Sequence, residues 1–319
     1  MDSWETPVIL KRLSAMLRGL FRSNVPSPED QRAATAAKLE QKVLDLVDNM
    51  PTLPDTATRA MAMANDPNSS FADLARLIEA DAAIATGLLR VANSTLYAGG
   101  LPAVKLQQAL VRLGLRQCQN LIVAVGVQSL FRGMAGATKA QCEVLWGHAY
   151  TTAGLCRRLN RAYRLGFDGE EFSAGLLHDL GRILLVLADA ECFNRADACD
   201  FNEGPDRLDR EREAIGIDHC ALGGWFGEHS KLPESLIETM RFHHDPEQSD
   251  KAKGLVAMVA AADHMANHLQ RGEPVEQYRP EDNPGLACLA ARWSGARRER
   301  LVGEVPQLLA EAAATPKGL

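Results

Sequence analysis

Five of the eight histidines in this chain fall into one ordered pattern with two aspartates: His148, then His178-Asp179, then His219, then His243-His244, and finally Asp263. Imidazole nitrogens and carboxylate oxygens drawn from sequence-distant points are the donor set of a metal centre assembled between helices. A hydrogen-bonded network of the same residues is a second reading, because histidine and aspartate also pair without metal when every member is satisfied. Cys220 directly follows His219 and could add a soft ligand, but within Ile217-Asp218-His219-Cys220-Ala221-Leu222 helix packing is the expectation.

The segments that carry these residues read as helices. His148 lies on a helical stretch over 143–160, where Leu145, Thr152, Leu155 and Leu159 define a buried side. His178 and Asp179 follow Phe172, Leu176 and Leu177, and Gly181 leaves room for another backbone to come close. Adjacent residues on a regular helix point about 100° apart, so the pair can reach one ion only near the helix axis or at a helix end. Asp263 belongs to a helix over 255–269 and is preceded by Val256, Met258, Val259, Ala260, Ala261 and Ala262. A carboxylate in such surroundings is costly without a partner.

The rest of the chain is helical in pattern as well. Over residues 4–22, Ile9, Leu13, Met16, Leu17, Leu20 and Phe21 recur at helical spacing with Lys11, Arg12, Arg18 and Arg22 between them. This basic amphipathic helix is expected to dock on the protein's own surface or in a dimer contact rather than on a partner or an anionic membrane. A stripe of Leu39, Val43, Leu44 and Val47 follows, broken by Pro51 and Pro54, and Asn65-Asp66-Pro67 closes the next helix. Ser70 with Asp73 forms an acidic capping box ahead of Leu74, Leu77 and Ile78, and Asp81 caps a helix that turns Ile84, Leu88 and Val91 inward. That helix pair could be taken for a helix-turn-helix, yet it offers only Arg90 and Asn93 as base readers, so a bundle is expected. Beyond Gln270, Pro274, Pro280 and Pro284 interrupt the chain before Leu289, Trp293, Leu301, Val305, Leu308 and Leu309 resume helical spacing and pack back on the core. Arg292, Arg297, Arg298 and Arg300 read as a solvated face. The resulting divisions are an extension over 1–30, a helical half over 31–135, a second half over 136–270 and a helical extension over 271–319.

Composition agrees with an all-α protein: aromatic residues make up 5% of 319 residues. A net charge of -6 argues against broad attraction to nucleic acid. No stretch reads as a membrane span or secretory leader, and seven cysteines without Cys-x-x-Cys spacing read as reduced thiols, so a cytoplasmic location is expected.

An ordered series of motifs resembles the HDOD family of bacterial signalling domains: Leu53-Pro54, Asn65-Asp66-Pro67, Leu77 to Asp81, Leu88 to Ser94, Leu96-Tyr97, Gln108-Ala109-Leu110, Leu113-Gly114-Leu115, Trp146 to His148, Gly175 to Gly181 and Arg241 to Pro246. The resemblance covers roughly 40–270. It implies an N-terminal helical bundle packed on a helical core related to HD-type metal-dependent phosphohydrolases, in a family regarded as regulatory and without demonstrated catalysis. It implies links to bacterial signalling, including cyclic-di-GMP networks. Carried over from the HD enzymes, the ligand pattern falls on His148, His178, Asp179 and Asp263; the two-metal HD-GYP subgroup adds positions matched by His219, His243 and His244. His229, His264 and His268 match no ligand position.

Three departures weigh against catalysis. The subgroup's lysine is Arg182, which cannot deprotonate. His243-His244 runs into Asp245-Pro246-Glu247-Gln248 with no Gly-Tyr-Pro segment, and Val144 stands where some three-metal members have a glutamate. The expectation is therefore a regulatory module with one or two divalent ions of iron, manganese or zinc. Its partner would be a signalling protein or a small nucleotide-like ligand, with a homodimer possible in principle. The alternative is a phosphohydrolase of a nucleotide or phosphodiester, in which Asp179 bridges two ions and Asp179 and Arg182 serve the chemistry.

Overall fold

The helical periodicity of the sequence is realised in the computed structural model, which describes Gln41 and residues 55–64, 70–94, 97, 101–291, 293 and 295–314. The amphipathic segment over 4–22, the stripe through Val47, the Pro51 and Pro54 break, the Asn65-Asp66-Pro67 motif and Arg292 lie outside the described residues. Among the described residues there is no strand.

The first half comprises α1 (Asp55–Ala64), α2 (Phe71–Glu79), α3 (Ala82–Ala92), α4 (Leu106–Leu113) and α5 (Leu115–Arg132). Its helix starts follow local chemistry. Ser70 accepts from Asp73 N at 3.3 Å while Asp73 Oδ2 accepts from Ser70 N at 3.3 Å, a reciprocal cap on α2. Asp81 Oδ1 accepts from Ile84 N at 3.1 Å at the start of α3. The inward faces meet in a core of Leu74, Ile78, Ile84, Leu88, Leu121 and Ile122, all buried. Arg90 of the supposed recognition helix is exposed at its surface.

The second half comprises α6 (Gly136–Tyr163), α7 (Glu170–Leu177), α8 (Leu180–Ala196), α9 (Arg207–Ile215), α10 (His219–His229), α11 (Glu234–Phe242) and α12 (Lys253–Gln270), followed in the C-terminal stretch by α13 (Pro284–Ala291) and α14 (Ala296–Ala313). The helix expected over 143–160 is longer, 28 residues, and its C-cap Arg164 adopts the left-handed conformation. The helical pattern after Pro284 divides into two helices, α13 and α14, and α14 packs back on α6 as expected. Helices α6, α7 and α12 pack against one another, α8 packs on α6, α9 and α10, and α11 closes against α7, α10 and α12. Helix α5 lies against α7, so the two halves meet at the helix that leads into His178.

Two glycines set the separations that matter to the site. A Cβ on Gly175 of α7 would come within 2.8 Å of Ala153 Cα on α6, and one on Gly181 of α8 within 1.9 Å of the His219 carbonyl oxygen at the start of α10. Close approach at Gly181 brings the His178-Asp179 and His219 backbones together. Gly181→Ala should therefore destabilise the protein by about 1–3 kcal/mol through overpacking, read as a lower denaturation midpoint. Gly303→Ala on α14, where a Cβ meets nothing within 4 Å, should be neutral or mildly stabilising. Equal effects at both positions would contradict the packing account.

Candidate metal centre

Helix ends, rather than helix faces, deliver most of the donors. α7 stops at Leu177 and α8 begins at Leu180, so His178 and Asp179 occupy the junction, the place where neighbours in sequence can face one volume. His219 opens α10, and His243 caps the end of α11 with His244 beside it. His148 and Asp263 come from the interiors of α6 and α12. Relative exposures are 0% for His148, His178 and His219, 2% for His243, 3% for Asp179 and 5% for Asp263, while His244 is half-buried.

All seven sequence-predicted residues converge. His148 Nε2 is 2.8 Å and His178 Nε2 3.5 Å from Asp263 Oδ1, and His178 Nε2 is 3.6 Å from Asp179 Oδ2. The other Asp179 oxygen, Oδ1, is 3.5 Å from both His219 Nε2 and His243 Nε2. His219 Nε2 in turn lies 3.4 Å from His243 Nε2 and 3.1 Å from His244 Nε2. The site therefore has two lobes, one of His148, His178 and Asp263, the other of His219, His243 and His244, with one Asp179 oxygen turned to each.

The outer hydrogen bonds fix which nitrogens carry hydrogen. His178 Nδ1 donates to the Gly175 carbonyl at 2.8 Å, and His243 Nδ1 to the Thr239 carbonyl at 3.1 Å. His219 Nδ1 donates to the Glu211 carboxylate at 2.7 Å, which also accepts the His219 backbone N–H at 2.7 Å. Burial pushes the His178 and His219 rings down, but the neighbouring carboxylate charges outweigh it and push His178 up, and Cys220 and Glu211 push His219 well up. When a ring loses that second proton, Nε2 is a bare lone pair aimed into the site, the arrangement that orients a metal-binding histidine. His178 Nε2 is buried without a hydrogen-bond partner. His148 differs, since its Nδ1 has no hydrogen-bond partner and no outer acceptor selects its tautomer.

Charge around the site is out of balance. Arg182, fully buried, donates to Asp179 Oδ2 at 2.8 Å and to Asp197 Oδ2 at 2.7 Å. Arg207 reaches Asp197 Oδ2 at 2.6 Å, contacts Glu203, and lies 3.8 Å from Glu211. Two guanidiniums thus face Asp179, Asp197, Glu203 and Glu211, while Asp263 meets His148 and His178. Burial pushes the Asp179 and Asp263 carboxyls up, but the surrounding histidines, and Arg182 at Asp179, hold both well below the ordinary carboxylate range. Glu203 is pushed up, first by burial and then by the Asp263 charge. Burial together with His243 and His219 pushes His244 well down, leaving a neutral ligand-competent ring. Positive charge must sit among these atoms, either as protons on imidazoles or as metal ions. A metal fits both the bare nitrogens and their spacing, since ligands at roughly 2.0–2.1 Å from one ion at tetrahedral angles lie about 3.4 Å apart.

Several supporting residues escape a reading of the sequence. Asp197, Glu203, Arg207 and Glu211 belong to a polar stretch that resembles a solvated helix face; the one available signal is Arg207 four residues from both Glu203 and Glu211. Phe201, in the same segment, stacks on His148 with ring centres 5.0 Å apart, at a positive φ of 59°, and its carbonyl accepts from Arg271 at 2.8 Å. His229 stacks on Trp225, while His264 and His268 bond Tyr278 and the Pro274 carbonyl, outside the site. His268 is buried, and exposed Val144 contributes no donor. The packing expectation for Cys220 is incomplete: it is buried, but its Sγ lies 3.4 Å from His219 Nε2, at the edge of the second lobe. No described helix is long and apolar enough to cross a membrane.

The chain matches the HDOD domain model over residues 50–246. It is similar, at 28% identity over 264 residues, to an uncharacterized protein of Treponema pallidum (strain Nichols), a match covering 82% of this chain and 50% of that protein. The chain thus spans about half the length of that curated relative. Among solved structures, an HDOD domain protein of unknown function from Geobacter sulfurreducens has a TM-score of 0.69 at 25% identity, covering 88% of this chain and 97% of that one. A candidate phosphohydrolase from Shewanella amazonensis SB2B has a TM-score of 0.63 at 22% identity, covering 86% and 98%, a likeness of fold.

Removing a charge behind a ligand should weaken the second lobe selectively. Glu211→Gln is expected to lower its metal affinity about 10–100-fold in chelator competition; unchanged affinity would mean that Glu211 does not orient a ligand. The Asp197 cluster predicts a pH effect. Burial pushes Asp197 up, but Arg182 and Arg207 outweigh it and hold the carboxyl below its ordinary 3.8. Its stabilising contribution is therefore present above that value and lost as pH falls through the lower folded value. In metal-free protein, the difference in melting temperature between wild type and Asp197→Asn should be widest above pH ~4 and close below it; a constant difference would rule the linkage out.

Proposed function

Because the chain belongs to the HDOD domain family, we propose that it is a signal-transduction module whose buried histidine-aspartate centre holds one or two divalent ions for structural and regulatory ends. Iron, manganese and zinc all suit the donor set. The observation that carries this reading is closure: His148, His178, Asp179 and Asp263 are each at most 5% exposed. Phe201 covers His148, Arg271 holds the Phe201 carbonyl, and Glu203 stands beside His244 with 3.8 Å between carboxylate and ring. A hydrolase of a phosphodiester needs an open ligand position and a cleft for the substrate.

Regulation in such a module would work by binding. A signalling partner or a nucleotide-like ligand with different affinity for two arrangements of the helical halves would shift their populations. The contact of α5 with α7 supports a route between the halves, because α7 ends at His178.

A second reading is a metal-dependent phosphohydrolase, favoured by the complete four-residue set and by Asp179 turning one oxygen to each lobe. When bound, the ions would supply Lewis-acid activation of water and of the phosphoryl group. Asp179 would then hold both lobes together, oriented by Arg182.

Elemental analysis of protein purified without an affinity metal tests the first reading. Wild type should carry roughly one to two equivalents of a divalent ion, lost in a variant combining His178→Ala and Asp179→Ala. The same protein should turn over neither bis-p-nitrophenyl phosphate nor nucleotides above the rate of that variant. Turnover abolished by Asp179→Ala would establish the hydrolase instead, and metal-free wild type would remove the ions from the account.

A further inference from the structure

Cys220 is the second residue of α10, directly after His219, where Asp218 caps the helix by accepting from Ala221 N at 2.7 Å. The helix N-terminus fixes both backbones, and the two side chains share one volume: Cys220 Sγ is 3.4 Å from His219 Nε2. One donor atom from each of His219, Cys220, His243 and His244 lies within 4.8 Å of the others. Cys220 is 5% exposed. Among the described residues it is the cysteine that joins such a group.

The three separations measured from His219 Nε2 are those of one coordination shell, and the other donor pairs lie within 4.8 Å. Metal–nitrogen bonds of roughly 2.0–2.1 Å and a metal–sulfur bond of about 2.3 Å at tetrahedral angles place nitrogen pairs about 3.4 Å apart and a nitrogen–sulfur pair about 3.6 Å apart. The corresponding separations here are 3.4 and 3.1 Å between nitrogens and 3.4 Å from nitrogen to sulfur. We propose that Cys220, as a thiolate, is the fourth protein ligand of the metal ion held by His219, His243 and His244. The proposal rests on the metal centre described above and deepens it by naming the ion's class. The thiol proton leaves to solvent as the metal–sulfur bond forms.

Two consequences follow from the donor chemistry. One thiolate with three imidazoles selects zinc or ferrous iron over magnesium or calcium. Four protein ligands also complete a tetrahedral shell, as in structural rather than catalytic zinc sites. The competing fourth ligand is Asp179 Oδ1, 3.5 Å from both His219 and His243. With Asp179 in that place the second lobe would be an all-oxygen-and-nitrogen site, and Cys220 would be an uncoordinated thiol beside it.

Cobalt(II) distinguishes these arrangements without reference to activity. The full chain, stripped with chelator and reloaded with cobalt, should show a near-ultraviolet thiolate-to-cobalt charge-transfer band and intense visible bands of tetrahedral cobalt. Cys220→Ser should abolish the charge-transfer band while cobalt remains bound at the other donors, and Cys199→Ser should leave it intact. Cobalt bound to wild type with no such band, or a band that survives Cys220→Ser, overturns the ligand assignment and leaves the metal centre standing. Failure of wild type to take up cobalt, zinc or ferrous iron overturns both. Where Cys220→Ser fails to fold, Cys220→Ala carries the same comparison, and a cobalt-loaded wild type without the band overturns the assignment by itself.

Discussion

Uncompensated negative charge in a closed interior is the constraint on which the second half of this protein depends. Asp179 and Asp263 sit among helices at 3% and 5% exposure, with Asp197, Glu203 and Glu211 close behind them and, among the described residues, Arg182 and Arg207 paired to the cluster. Carboxylates removed from water require cations or protons. The five histidines turned toward them can supply either, by taking up protons or by ligating metal. The outer hydrogen bonds of His178, His219 and His243 turn each Nε2 into the site, where it can carry a proton or a metal ion.

The fold meets this constraint with helix termini. A helix interior presents one donor per turn to a given face, whereas the α7–α8 junction presents His178 and Asp179 together, and the end of α11 presents His243 and His244. Such junctions can meet only where backbones pass closely, which is why Gly181 packs on the His219 carbonyl and Gly175 on Ala153. The segment carrying Asp197, Phe201 and Glu203 then seals the volume, tied down by both arginines and by Arg271. Phe201 holds a left-handed backbone conformation in the process, a strained state for a side chain of its size that its surroundings must maintain.

This closure bears on function more than the identity of the ligands does. The same donor set serves hydrolysis where an ion keeps an open position and serves structure where protein fills every one. With the centre enclosed and α7 running from the α5 interface to the residue before His178, the donor residues are physically joined to the packing of α5.

Much of this was legible in the sequence. Periodicity and caps at Ser70 and Asp81 determine the α-helices, because those interactions span three or four residues. The ordered histidines and aspartates determine the donor set, since few other roles gather such residues among apolar neighbours. What tertiary structure alone decided was everything carried by contacts across long separations: Glu211 behind His219, Phe201 over His148, Arg182 shared between Asp179 and Asp197, and Cys220 facing three imidazoles. Charged residues in a polar helix look solvated until the fold buries one of its faces. Whether a cysteine packs or ligates depends on where its sulfur points, and that direction is set by neighbours remote in the chain.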